Sequence, residues 1–83
     1  MQSYEQILAR LCVLLATYTG GDLQIEEKTL LTSDLGLDSA LLMELLLEIE
    51  DEFDVSIPLN NLPNIYDVRD MAKMIDKLLN PLL

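Results

Sequence analysis

Ser39 lies in the stretch DLGLDSALLMELL (residues 34–46), at the point where an irregular segment gives way to a long apolar run. The chain has no histidine and a single cysteine, so neither a Ser-His-Asp nor a Cys-His arrangement can be assembled within it. Two roles remain for Ser39, and neither excludes the other. As a helix N-cap, its hydroxyl would accept a backbone N–H of the first turn, worth about 1 kcal/mol. As a modification site, it would sit exposed at a helix N-terminus, where the macrodipole favours an attached phosphate by about 0.3–1 kcal/mol. Cys12 falls in an apolar helical run and reads as a small buried hydrophobe; alone it supplies no internal disulfide and no metal set.

Carboxylates are the other abundant chemistry. Eight acids and no Lys or Arg fall between Asp34 and Asp54, within a chain of net charge −10. The acids along the second helix are expected to be solvated and mutually repelling, and a bundle this small leaves little room for a catalytic cleft, so independent catalysis is not expected. At 100° per residue, Leu42, Leu45, Leu46, Ile49 and Phe53 form one apolar stripe, while Ala40, Met43 and Leu47 lie away from it beside Glu44, Glu48 and Asp51. Apolar side chains among acids on an outward face describe a docking surface, with charge steering a partner in and Met43 and Leu47 making a dry contact.

The elements that must position these residues are helices. Ser3 and Gln6 have capping-box spacing, and Tyr4, Ile7, Leu8, Leu11, Leu14, Leu15 and Tyr18 then share a stripe, which predicts a first helix over 3–18 closed by Gly20 and Gly21. Residues 22–38 show no sustained period. Leu23, Ile25, Leu30, Leu31, Leu35 and Leu37 are placed to pin this long loop to the core, and Gly36 permits a tight bend before Ser39. A second helix is predicted over 39–53. Pro58 and Pro63 leave room only for a short helical turn between them, and Asp67 caps a last helix with the stripe Val68, Met71, Ala72, Ile75, Leu78 and Leu79, ended by Pro81. The expected fold is all-α: one domain over residues 1–83, a small bundle of three longer helices and one short one, with a long loop between the first two.

Length and composition bound the class. A chain of 83 residues makes one domain, and chains of this size bury only about 60% of the surface they expose when unfolded. With one Phe and no Trp, the core must come from Leu, Ile, Val and Met. The negative charge disfavours nucleic acid and anionic membrane surfaces and favours basic protein partners. No stretch reads as a signal peptide or a membrane span, so a cytoplasmic, monomeric protein without membrane insertion is expected.

The string DLGLDSALLMELLLEIEDEFDVSIP (residues 34–58) closely resembles the acyl carrier protein family. The resemblance rests on the pair Asp38–Ser39 preceded by Leu35, Gly36 and Leu37, on Glu44, on the acidic run Glu50, Asp51 and Glu52, on Phe53, and on Ile57–Pro58. It implies a four-helix carrier domain bearing 4′-phosphopantetheine on Ser39, moved there from coenzyme A by a phosphopantetheinyl transferase, with a terminal thiol that holds acyl groups as thioesters. It also implies that the helix starting at Ser39 is read by basic patches on partner enzymes, through Asp38, Met43, Glu44, Leu47, Glu48 and Asp51. The sequence departs from the family pattern at Ala40, where Leu usually follows the serine, and at Leu41, where a polar residue is frequent, which makes this end of the helix more apolar than in housekeeping fatty-acid carriers.

Three functions are thereby framed. The first is a free-standing acyl carrier of fatty-acid, specialised lipid or polyketide synthesis. The second keeps the arm but gives it an aminoacyl or peptidyl cargo. The third is an unmodified acidic helical adaptor that binds a basic partner through Met43 and Leu47.

Overall fold

A computed structural model describes residues 2–21, 24–58, 60 and 65–81. Its three helices are α1 (Tyr4–Thr19), α2 (Ser39–Phe53) and α3 (Val68–Leu79), and there is no strand among the described residues. The expected short helix between the prolines falls on residues 59 and 61–64, outside those described.

Each helix begins where a side chain can satisfy its free N–H groups. Ser3 Oγ accepts from Gln6 N at 3.2 Å while Gln6 Oε1 accepts from Ser3 N at 2.9 Å, a complete capping box on α1. Asp67 and Asp70 form the equivalent box on α3. Gly20 ends α1 in the left-handed region, with φ 84°. That conformation carries a steric cost for a residue with a Cβ. The end of α2 is set locally too: Asp54 turns left-handed, with φ 54°, and its N–H returns to Glu50 O, so the helix stops before Pro58 is reached.

The predicted stripes meet in one core. Ile7, Leu11 and Leu15 of α1, Leu45, Leu46, Ile49 and Phe53 of α2, and Val68, Met71, Ala72 and Ile75 of α3 are buried together, with Leu42, Leu78 and Leu79 partly so. Met74, outside the stripe read from the sequence, is buried as well. Each large side chain taken fully out of water contributes about 1.5–3 kcal/mol, so helix packing dominates the stability of this domain. Two side-chain links fix how α2 lies on α1. Arg10 pairs with Glu52, and the Tyr18 phenol donates to Glu44 O at 3.4 Å. Because position 10 faces position 52 and position 18 faces position 44, the two helices run antiparallel.

The loop before α2 is held to the fold at several points. Leu31, Leu35 and Leu37 are buried and Ile25 packs against the core, whereas Leu30 is exposed, contrary to the anchoring role read for it, and Leu23 lies outside the described residues. Leu30 instead forms an isolated antiparallel bridge with Asp67. Around it, Leu31 N donates to Tyr66 O at 3.0 Å, Val68 N to Thr29 O at 3.1 Å and Arg69 N to Glu27 O at 2.8 Å, which ties the loop to the start of α3. Glu27 completes the tie, accepting from the Tyr4 phenol at 2.8 Å and from Arg69 Nε at 3.1 Å.

These hydrogen bonds, to Tyr4 and then to Arg69, hold the Glu27 carboxyl below its ordinary pKa of 4.5. Burial, and then Glu27, push the Tyr4 phenol from 10.0 up to about 12. A depressed carboxylate contributes stability that is full above its unfolded pKa and lost as the pH falls through the folded one; a raised phenol contributes stability lost as the pH rises through its folded value. The tie therefore holds across neutral pH and releases at both extremes. Glu27→Gln is expected to lower the melting temperature at pH 7, with the difference from the parent shrinking as the pH is taken below 4.5. Thermal melts followed by circular dichroism over that range check this; a difference constant with pH would contradict it.

Candidate functional site

The loop delivers Ser39 to an exposed corner. Within it, Asp34 N and Leu35 N both donate to Leu30 O at 3.1 Å, Leu37 N donates to Leu31 O at 3.1 Å, and Asp34 Oδ2 accepts from Leu30 N at 2.8 Å. Gly36 sits between buried Leu35 and Leu37 with φ 68°. A Cβ there would meet nothing within 4 Å, so the backbone angle, not space, calls for glycine. The two leucines thus enter the core on either side of a bend, and the chain emerges at Asp38 in extended conformation, ready to start α2.

The cap itself differs from the sequence-based expectation for Ser39. Asp38 is the N-cap, its Oδ1 accepting from Leu41 N at 2.8 Å, and Ser39 is the first helical residue. A carboxylate one position earlier in the chain reaches the same N–H groups, and it leaves the Ser39 hydroxyl without a hydrogen bond to any described residue. Ser39 is exposed. Asp38→Ala is expected to cost about 1 kcal/mol, the usual loss of a helix cap. Urea unfolding should give a lower midpoint at unchanged slope.

The acids of this region divide into two groups. Asp34 and Asp38 bond to backbone N–H groups, Glu50 Oε2 accepts from Ile57 N at 2.8 Å, and Glu52 pairs with Arg10, so these four serve the fold. That corrects the picture of uniformly solvated carboxylates along α2: Glu50 is half-buried because it holds the chain just past the helix end. Glu44, Glu48 and Asp51 are exposed and meet no cation among the described residues. Met43 and Leu47 stand among them at 42% and 64% exposure, and Ala40 and Leu41 are exposed nearer Ser39. The predicted positions Met43, Glu44, Leu47, Glu48 and Asp51 therefore share the outer side of α2 with Ser39 at its N-terminus, while Asp38, also predicted, precedes the helix as its exposed cap, its carboxylate engaged with Leu41 N.

Tyr18 borders this face from α1, a neighbour that no helical layout of α2 alone could supply. Partial burial, followed by the carboxylates of Glu48 and Glu44, pushes its phenol up, so it stays protonated at neutral pH. Cys12 is half-buried, with Sγ 3.9 Å from Ile25 O, and burial followed by Glu27 pushes its thiol up. It is a poor nucleophile.

The head of this anionic helix thus presents an exposed hydroxyl with no hydrogen bond to a described residue. Residues 9–75 match the family model described as a phosphopantetheine attachment site. The chain is 35% identical over 77 residues to the acyl carrier protein of Micrococcus luteus, covering 92% of this chain and 95% of that one. It is 34% identical over 80 residues to the acyl carrier protein of Thermotoga maritima, covering 95% and 99% respectively. A probable acyl carrier protein of Caulobacter vibrioides is 36% identical over 59 residues, covering 71% of this chain and 69% of that protein. The chain belongs to the acyl carrier protein family. It is a carrier rather than a catalyst, and its domain is the kind to which 4′-phosphopantetheine is covalently attached. No helix of the described residues is long and apolar enough to cross a membrane.

Proposed function

We propose that this protein holds acyl intermediates of fatty-acid, specialised lipid or polyketide synthesis on a 4′-phosphopantetheine arm borne by Ser39, and presents them to enzymes that dock on α2. The observation that carries the reading is the exposed Ser39 hydroxyl, released from capping by Asp38. The residues present fit the group. Ser39 Oγ can be esterified without disturbing a hydrogen bond, and the N–H groups of Ser39 and Ala40, which precede the first intrahelical bond in exposed residues, would be available to the phosphate. When bound, the arm supplies a thiol that carries acyl groups as thioesters.

The chain's own residues do the rest. Leu35 and Leu37 anchor the corner, Asp38 fixes the first turn of α2, and Glu44, Glu48 and Asp51 draw in the basic surface of a phosphopantetheinyl transferase or synthase enzyme. Met43 and Leu47 then exclude water from the contact. With Cys12 as its single cysteine, nothing in the chain requires an oxidising compartment, and we place the carrier in the cytoplasm as a monomer.

Incubation of the purified chain with coenzyme A and a promiscuous phosphopantetheinyl transferase is expected to add the mass of the arm; an unchanged mass ends the proposal. Trapping the thioester from cells and weighing the cargo then separates an acyl group from an aminoacyl or peptidyl one.

A further inference from the structure

Residues 34–54 hold eight of the fifteen acids and none of the five Lys and Arg, so they carry −8 of the net −10. The remaining charge is arranged in the opposite sense on α3. Of its twelve residues only Arg69, Lys73 and Lys77 are exposed, at four-residue intervals along one side. Every exposed position of α3 is thus a cation, while α2 exposes none.

The acids around α3 flank that row and are less exposed than it. Asp67 Oδ1 accepts from Asp70 N at 2.8 Å, Asp70 Oδ2 from Tyr66 N at 3.0 Å, Asp76 Oδ1 from Asn80 Nδ2 at 2.8 Å, and Glu27 from Arg69 and Tyr4. All four are half-buried. By formal charge, α3 without its lysines holds Arg69 against Asp70 and Asp76 and would be a second anionic helix, attractive at long range to a basic enzyme.

We infer that Lys73 and Lys77, with Arg69, act as an electrostatic guard: they repel basic partner surfaces from α3 and so restrict docking to the face of α2 that begins at Ser39. This rests on the reading of α2 as the docking face and adds how wrong-way encounters are rejected. Like charges brought together at a contact suppress a wrong orientation, whereas the long-range attraction of a net negative protein acts from every side. Docking through α3 would seat the partner on a helix that does not bear Ser39, and each such encounter would be unproductive.

The test is a nuclear magnetic resonance titration of the full chain with a synthetic amphipathic helix that has lysines on its polar side and leucines on the other. In the parent protein, amide shifts are expected at Met43, Glu44, Leu47 and Glu48 and not along residues 69–77. In the double variant Lys73→Gln/Lys77→Gln a second set of shifts is expected along α3, with a two-site isotherm and α2 affinity within about twofold of the parent, well under the tenfold that 1.4 kcal/mol represents. Lys73→Arg/Lys77→Arg, which keeps the charge and the exposed helix, is expected to behave as the parent. Binding to α2 alone in the glutamine variant, or binding along α3 in the parent, overturns the guard. Absence of any α2 shift in the parent overturns the docking face itself, and the guard with it.

Discussion

Ser39→Ala is expected to abolish the gain of mass on incubation with coenzyme A and transferase, while leaving the helical circular dichroism and the melting temperature near those of the parent. The effect is all-or-none because the alanine has no oxygen to esterify. The fold is spared because the cap belongs to Asp38 and the Ser39 hydroxyl bonds to no described residue, so its removal orphans no buried group. Alanine is also the better helix former at the position. Mass spectrometry reads the outcome directly. A Ser39→Ala protein that still gained the arm would place the attachment elsewhere, and one that lost the arm yet kept its biological activity would favour the unmodified adaptor.

Leu47→Arg carries the second large effect. Leu47 is 64% exposed on the outer side of α2, so the substitution costs the core nothing and melting should change little. At a partner surface the same change removes an apolar contact worth about 1.5–3 kcal/mol if fully buried there and sets a cation against a basic patch, so kcat/KM of a partner enzyme is expected to fall about tenfold to a hundredfold. The loss should appear as a kinetic defect on the carrier, with the arm still attachable at high transferase concentration. Partner binding by the parent should also weaken as added salt shortens the Debye length from about 10 Å at 0.1 M to about 3 Å at 1 M. A partner indifferent both to Leu47→Arg and to salt would move the docking surface off α2.

The helices and the outward side of α2 are visible in the sequence because both are consequences of local periodicity. A stripe such as Leu45, Ile49 and Phe53 defines its own opposite side, and Met43 and Leu47 fall there whatever the helix packs against. Caps are short-range as well, and the Ser3–Gln6 box and the Asp67 cap form as their spacing indicates. The one displaced assignment, Asp38 for Ser39, turns on a single residue: both side chains can accept a first-turn N–H, and the extended backbone at Asp38 decides which one does. Glu50 and Glu52 misled for a different reason. Their partners, Ile57 N and Arg10, lie seven and 42 residues away, and helical phase carries no information about either.

By itself, then, the sequence determined an all-helical chain, a serine at the head of an acidic helix and the family to which that pattern is similar, since each of these follows from residue type and spacing within about twenty positions. Tertiary structure alone decided how the loop from Glu27 to Leu31 is bolted to the start of α3, which carboxylates are spent on the fold and which remain for a partner, that Tyr18 edges the α2 face, and that the exposed positions of α3 are its cations. Those outcomes depend on hydrogen bonds and charges brought together across the chain, which exist only after the apolar stripes have packed.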